Sequence, residues 1–391
     1  MSFSKIYILF IVDDVLPEQF QLFDIDEFDD YNDTHNLRLS CFLHSLQLCV
    51  RDGVGKTTFT SRALEKCRAL AKFSRRSSKM AERLEQLAKS VSKSNITRWN
   101  SDYLLVKSIV SIGKTDLDSI VSLMEKPVKF TTNEINMLKE LIDVLEPFYD
   151  ITITCQSETV VTASLVVPAV VHLLIHLCEN KNSLSFCEKL VRDLHLSVEK
   201  RFAGIVKRLN HSKIEDDDPF NDPAYFLATM LDPSFKFLWI PGLKLTPNNE
   251  NKLKQHLIQL LLDEINKDCN NLPPHVSDEN NVPIRSKKRK LFAYEDPRSD
   301  GENTTFVINP VTEVNAYFND PVRSQFSSYW RGSQFHRLKK LAKCVCSIQA
   351  SSAPVERVFS HAGLIFSPRR TRLNEELFTD LVFLKVNQAF L

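Results

Sequence analysis

Glycine is scarce in this chain, with 8 residues among 391. Folds that depend on glycine-rich loops or many tight turns, such as dinucleotide-binding folds and β-sandwiches, are therefore disfavoured. An excess of charge of one sign is missing too, because 50 Lys and Arg residues and 49 Asp and Glu residues leave a net charge of +1. The protein therefore has no overall basic field that attracts nucleic acid, and any nucleic-acid surface must be local.

Long apolar runs and regularly spaced cysteines are lacking as well. No stretch reaches the roughly 20 apolar residues that a membrane-spanning helix needs, so we expect no membrane partner. The nine cysteines are an odd number without the spacing of a disulfide framework, and no secretory signal precedes them. Reduced thiols in the cytosol or nucleus fit this pattern best.

Charge is neutral only on average. Residues 6–36 contain nine carboxylates and no Lys or Arg, whereas residues 61–93 contain ten basic and three acidic side chains. Apolar residues recur at three- and four-residue steps through 61–93, which predicts one amphipathic helix. Either a solvated face or a phosphate-contacting face explains its basic side chains. The candidates for phosphate contact are Lys72, Arg75, Arg76 and Lys79.

The remaining chain is mostly helical in pattern. An apolar run at residues 6–12 predicts a strand, and a helix is expected to end at residues 146–147 (Glu-Pro). Residues 266–305 are rich in Asn, Pro, Asp, Ser and Lys, which is typical of a disordered linker. The linker contains a basic cluster of the nuclear-localisation type, formed by Arg285, Lys287, Lys288, Arg289 and Lys290.

A phosphate-binding loop is suggested by residues 53–57 (GVGKT) but rejected. That motif needs a glycine where Val50 stands, and the valine Cβ would obstruct the turn around the phosphate. We therefore expect no nucleotide partner.

A metal site is conceivable at His172, His176 and Cys178, since the two histidines are four residues apart. No Glu follows His172 as a zinc peptidase helix requires, and the surrounding residues are Leu, Ile and Val. Structural histidines explain the pattern better, and no metal site is expected.

The C-terminal block has the clearest local signals. Ser352 or Ala353 is expected to cap a helix with Pro354 in its first turn, and Asn374 to cap the final helix. Both helices are apolar, and the last is apolar on two faces, which requires a second surface such as another subunit. The predicted dimerisation residues are Val355, Val358, Phe359, Leu377, Phe378, Leu381, Val382 and Leu384.

Several motifs occur in the order found in hAT-superfamily transposases, which this chain resembles from about residue 24 to its end. The C-terminal block resembles the family's Ser-Ser-Ala-x-x-Glu-Arg-x-Phe-Ser run, and Cys41 with His44 matches its Cys-x-x-His motif. The matching segments are residues 41–48, 96–101, 145–148, 228–233 and 350–360. The resemblance is strongest to proteins of the zinc finger BED domain-containing type.

The resemblance implies an α/β, mostly α fold, in which an incomplete RNase H-like core is interrupted by a large all-helical insertion domain. Residues 1–110 would form the truncated core with its basic helix, and residues 111–265 the insertion domain. Residues 266–305 would be the linker and residues 306–391 the hAT C-terminal dimerisation region.

Catalysis in the family uses an Asp-Asp-Glu triad that holds two divalent metals such as Mg. Glu356 matches the family's Glu, and Asp13 or Asp14 is the one candidate for the second Asp. Arg98 and Trp99 match a pair that handles DNA at strand cleavage. The first Asp belongs to a strand that is missing here, and one carboxylate cannot organise two metals. We therefore expect no enzyme activity and no cofactor, with Mg bound only if catalysis survives.

The resulting hypothesis is a catalytically inactive, transposase-derived protein that lacks the BED finger and is located in the nucleus. It would dimerise with itself or with another hAT-type protein through the C-terminal region, and DNA is a further expected partner. The alternative is an active or trans-complemented DNA transposase of the Asp-Asp-Glu type.

Overall fold

The computed structural model describes residues 40–55, 58–94, 99–157, 160–270, 309–366 and 373–388. Within these ranges the chain is helical and contains no strand. Their α-helices, in chain order, are α1 (Phe42–Gly55), α2 (Thr58–Ser74), α3 (Ser78–Gln86), α4 (Trp99–Val110), α5 (Lys114–Val121), α6 (Thr132–Cys155), α7 (Val166–Asn180), α8 (Glu188–Arg201), α9 (Ala203–Leu209), α10 (Ala224–Leu231), α11 (Pro247–Asn270), α12 (Pro310–Asn319), α13 (Phe326–Gly332), α14 (His336–Cys346), α15 (Ala353–Ile365) and α16 (Glu375–Val386). Short 3-10 helices lie at Ala163–Leu165 and Ile240–Leu243.

The mostly helical part of the predicted fold class is confirmed, whereas the RNase H-like core stays a prediction. The strand predicted at residues 6–12 lies outside the described residues. The basic cluster at residues 285–290 and most of the predicted linker lie outside them too. Helix α11 continues to Asn270, so the first residues assigned to the linker are helical.

Helix α10 is buried along its whole length of 8 residues. Its sequence, AYFLATML, has no charged side chain, and a helix that is apolar on every face must be covered on every face. Helices α7 and α14 and the 3-10 helix Ala163–Leu165 pack around it. The hydroxyl group of Thr229 lies 2.8 Å from the carbonyl oxygen of Tyr225, so its burial leaves no unpaired donor.

Helices α1 and α8 approach closely because a glycine lies between them. A Cβ atom on Gly53 would lie 2.7 Å from Cδ2 of Leu194, so a larger residue would force that leucine to move. Residues 42–55 are therefore part of a helix-packing surface. A phosphate-binding loop would instead need irregular backbone at this glycine.

The single helix predicted for residues 61–93 is wrong. Helix α2 ends at Ser74 and α3 begins at Ser78, with Arg75 and Arg76 in the turn between them. Ser77 caps α3, because its side-chain oxygen accepts a hydrogen bond from the Met80 backbone N–H at 3.3 Å. The apolar spacing continues across this turn, which concealed the break in the sequence pattern.

The helix end predicted at residues 146–147 is also wrong, since α6 continues through Pro147 to Cys155. Proline removes the donor for the carbonyl of Asp143 and loosens the helix there. His176 of α7 packs at this point, and its Nε2–H donates to the carbonyl oxygen of Val144 at 3.3 Å. Burial lowers the pKa of His176, which favours the neutral ring. A tertiary partner thus supports the helix across the proline.

Among the residues that the structure describes, one segment is long and apolar enough to cross a membrane by length and composition alone. It comprises Ala163–Asn180, and 50% of it is buried inside the protein. Helix α7, which forms most of it, packs against α6, α8 and α10. Core helices of this kind pass the same test, so the segment is weak support for a membrane span.

Candidate dimerisation surface

Buried aromatic side chains attach helices α12 and α13 to the end of α10. The Trp330 Nε1–H donates to the carbonyl oxygen of Leu231 at 3.0 Å. The Tyr317 hydroxyl donates to the carbonyl oxygen of Met230 at 2.9 Å. Carbonyls at a helix end have no partner within the helix, so these bonds satisfy them. The two rings stack with centroids 5.3 Å apart. The pair therefore both caps α10 and fixes the C-terminal helices.

A buried lysine strengthens the same attachment. Lys236, which is 2% exposed, donates from Nζ to the carbonyl oxygens of Tyr317 and Asp320, both at 2.7 Å. Its ammonium group also lies 4.4 Å from the centre of the Tyr317 ring, a favourable cation–π position. Burial lowers the pKa of Lys236 to about 8. The carbonyls and the ring offset part of this cost of burying a charge.

Helix α12 also holds the start of α14. The Glu313 carboxylate accepts hydrogen bonds from the backbone N–H groups of Arg337 and Leu338 at 3.0 and 3.1 Å. A carboxylate at a helix N-terminus satisfies free donors and interacts favourably with the helix dipole. Helices α12 to α14 therefore form a fixed base for the helices that follow.

The helix starts predicted for the C-terminal block are confirmed. Ser352 is the N-cap of α15, and Pro354 lies in the first turn. Asn374 caps α16, with its Oδ1 accepting a hydrogen bond from the Leu377 backbone N–H at 2.9 Å. Both signals depend only on neighbouring residues.

Helices α15 and α16 pack against each other and leave a broad apolar surface in contact with solvent. Helix α16 has no buried residue, although its sequence is EELFTDLVFLKV. Exposed fractions on this helix pair reach 64% for Phe359, 77% for Leu364 and 72% for Phe366. We call these the hairpin surface, whose large exposed residues are Phe359, Leu364, Phe366, Leu377, Phe383 and Leu384. Several large exposed apolar side chains on one helix pair are typical of an interaction site.

The structure brings all the predicted dimerisation residues onto this helix pair. Phe359, Leu377 and Leu384 are exposed. The other five are half-buried: Val355, Val358, Phe378, Leu381 and Val382.

Sequence reasoning missed two residues of the hairpin surface. Leu364 and Phe366 lie at the end of α15 and just beyond it, where helical spacing no longer indicates a face.

The family-matched Glu356 lies in a polar cluster with the Cys-x-x-His segment. Ser352 Oγ donates to Glu356 Oε1 at 2.8 Å, and the Ser352 backbone N–H donates to Cys41 Sγ at 3.4 Å. The Leu43 N–H donates to the carbonyl oxygen of Ala350 at 3.3 Å. The starts of α1 and α15 are therefore joined. His44 is exposed.

Metal binding gains no support from the described part of the chain. No group of three or more His, Cys, Asp or Glu residues suited to a metal occurs there. Asp13 and Asp14 lie outside the described residues. His172 is exposed, and both ring nitrogens of His176 have protein partners, the Val144 carbonyl and Asn180 Nδ2.

Of the pair expected to handle DNA, Trp99 is described and Arg98 is not. Trp99 is half-buried at the start of α4, and its ring lies edge-on to Tyr103 with centroids 6.4 Å apart. Tyr103 in turn stacks on Tyr149 at 4.7 Å. The tryptophan is thus part of an aromatic cluster that joins α4 to α6.

Basic residues of α2 and α3 divide into two groups. Lys66 pairs with Glu134 at 2.6 Å, and Arg68 pairs with Asp102, so these two join helices. The four predicted DNA contacts, Lys72, Arg75, Arg76 and Lys79, are all exposed around the turn between the helices. We call these four the basic turn.

Comparison with known protein families finds a match in the C-terminal part of the chain. Residues 313–387 match the hAT family C-terminal dimerisation region. This region begins in α12 and ends after α16, so it contains both the fixed base and the hairpin surface.

Similarity to relatives extends over most of the chain. It is 22% identical over 376 residues to zinc finger BED domain-containing protein 4 of Homo sapiens, covering 91% of this chain and 30% of that protein. It is 23% identical over 380 residues to a Zea mays protein described as an AC transposase, covering 88% of this chain and 43% of that protein. The chain thus spans less than half the length of each of these relatives. The chain carries a match to the hAT C-terminal dimerisation region and resembles these two proteins over most of its length, which is consistent with a hAT-superfamily transposase-derived protein.

Proposed function

We propose that this chain is a catalytically inactive protein that homodimerises through the hairpin surface. The observation that carries the proposal is that α16 is strongly apolar yet has no buried residue in a single chain. Covering exposed apolar side chains is the main favourable contribution to protein association. The match of residues 313–387 to a dimerisation region supports the same conclusion.

A second copy of the chain is the partner that this geometry favours. In a twofold dimer the same patch is used on both subunits, so an apolar surface without a separate complementary site is sufficient. Helices α12 to α14 would hold the two hairpins in place, since Trp330 and Lys236 attach them firmly to the helical body. A heterodimer with another hAT-type protein is the competing outcome.

Light scattering coupled to size exclusion on the whole chain tests this proposal. We expect a mass twice the 45.0 kDa of one chain, with dissociation only on dilution. A single-chain mass at every accessible concentration would contradict homodimerisation and favour a different hAT-type partner.

We further propose that Glu356 stabilises helix α15 and holds no metal. Its carboxylate lies in the first turn of α15 and accepts a hydrogen bond from Ser352. An acid in the first turn stabilises a helix by about 0.3–1 kcal/mol through the helix dipole. Glu356→Gln is therefore expected to lower the free energy of unfolding by no more than this amount. When Mg²⁺ and supercoiled DNA are added, we expect no strand cleavage by the original chain or by Glu356→Gln. Cleavage by the original chain that Glu356→Gln abolishes would establish the alternative, a transposase.

DNA binding through the basic turn is a second proposed function, suited to a protein in the nucleus. Four exposed cations around the turn between α2 and α3 form a local basic surface on a chain whose net charge is only +1. Arg75→Gln with Arg76→Gln is expected to weaken binding to duplex DNA of any sequence. The slope of log K against log salt should become less steep by about 2, since each cation releases about one counterion.

Fluorescence anisotropy of a labelled duplex over a series of KCl concentrations measures that slope. Lys181→Gln with Lys213→Gln is the matched control, because both lysines are exposed and lie on other elements. Equal slopes for the two double variants would show that the basic turn makes no specific contribution.

A further inference from the structure

Cys178 lies outside the hAT dimerisation region and has an imidazole beside its thiol. Cys178 Sγ at the end of α7 and His195 Nε2 of α8 are 3.3 Å apart. The other ring nitrogen, Nδ1, lies 3.3 Å from Oε2 of Glu199, one turn further along α8. Thiol, imidazole and carboxylate therefore occur in the order in which a nucleophile, its base and an orienting acid act.

The exposure of Cys178 allows its thiol to react with a small reagent from solution. Cys178 is exposed, whereas the His195 side chain is 27% exposed and therefore largely held by its surroundings. A reagent can reach the sulfur, while the imidazole stays within hydrogen-bond distance of it. Partly exposed thiols with a neighbouring histidine are the kind that become reactive.

Other thiols of the described chain are in different settings. Burial raises the pKa to about 12 for four of them, Cys49, Cys67, Cys155 and Cys187. These four stay protonated at neutral pH, and the thiolate is the reactive form. Cys344 is exposed on α14 and supplies an internal reference thiol.

We propose that Cys178 is a peroxide-sensitive cysteine, with His195 as its base and Glu199 as a positioning residue. His195 takes the thiol proton, and the sulfur attacks one oxygen of hydrogen peroxide. The O–O bond breaks, and the proton on His195 passes to the departing hydroxide. Sulfur loses two electrons to the peroxide, and the products are a cysteine sulfenic acid and water.

Site-resolved mass spectrometry of the whole chain tests the proposal. The protein is treated at pH 7 with hydrogen peroxide and dimedone, which traps sulfenic acids, and labelling of Cys178 and Cys344 is followed over time. We expect Cys178 to be labelled about tenfold faster than Cys344. His195→Gln should lower the Cys178 rate to that of Cys344.

The positioning role of Glu199 has its own readout. The pH profile of iodoacetamide alkylation at Cys178 is expected to move to higher pH in Glu199→Gln, while the Cys344 profile stays unchanged. A purely structural role for Glu199 would leave both profiles in place.

Two results would overturn the proposal. One is equal labelling of Cys178 and Cys344 in the original chain, and the other is an unchanged Cys178 rate in folded His195→Gln. Circular dichroism establishes whether that variant is folded. Should it unfold, the ratio of the two rates in the original chain decides by itself. Comparing the Cys178 rate between the original chain and folded His195→Gln does not depend on dimerisation, because Cys178 lies outside the matched dimerisation region.

Discussion

Leu384→Asp is expected to convert the dimer into a folded monomer. Leu384 lies on α16 within the hairpin surface and is 46% exposed in a single chain, so it is not part of the buried core of the folded monomer. In a twofold dimer the change enters the interface twice. Burying an unpaired carboxylate costs several kcal/mol. A loss of about 3 kcal/mol in the free energy of association raises the dissociation constant by more than about a hundredfold.

Light scattering at several concentrations measures this effect, and circular dichroism monitors the fold. Leu196→Asp is the matched control, because Leu196 is 58% exposed on α8, outside the hairpin surface. We expect the control to remain a dimer. Equal masses for both variants and the original chain would show that the hairpin surface lies outside the interface.

Trp330→Ala is expected to destabilise the monomer itself by about 3–5 kcal/mol, the usual cost of removing a large buried aromatic ring. Trp330 is 2% exposed and stacks on Tyr317. Its removal also leaves the carbonyl of Leu231 without its partner at the end of α10. The C-terminal helices would then lose their attachment to the body, and dimerisation should weaken as a consequence.

Urea denaturation followed by circular dichroism gives the free energy of unfolding. Leu238→Ala is the control, since Leu238 is 61% exposed and surface changes usually stay within about 0.5 kcal/mol. Leu384→Asp and Trp330→Ala should therefore differ in the kind of effect that they have. Leu384→Asp lowers association and leaves the monomer stable, whereas Trp330→Ala lowers both. A Trp330→Ala monomer as stable as the original would refute the role of the tryptophan as an anchor.

Prediction from the sequence succeeded where the relevant interactions are local. The start of α15 is marked by Ser352 followed by Pro354 in the first turn, and the start of α16 by the bond from the Leu377 N–H to Asn374. The residue types were therefore sufficient to locate both helices. The final helix is apolar on more than one face, and the core of a single chain covers only one face of such a helix. Its sequence therefore also indicated an apolar surface that is left uncovered.

Prediction failed where a distant partner changes the outcome. Pro147 ends a helix in isolation, but His176 from α7 supports the chain there and the helix continues. The break before α3 was missed for a different reason, because a local serine cap interrupts the helix while the apolar spacing continues across it. Periodicity measures which face is buried and contains little information about where one helix stops and another starts.

The sequence by itself determined the helical content, the family resemblance and the apolar C-terminal helices, because composition, caps and motifs are properties of neighbouring residues. Only the tertiary structure decided which distant groups meet. It joined Cys41 to the start of α15, placed His195 beside Cys178, and inserted Trp330 at the end of α10. These contacts depend on how helices pack in three dimensions, and spacing along the chain does not record that packing.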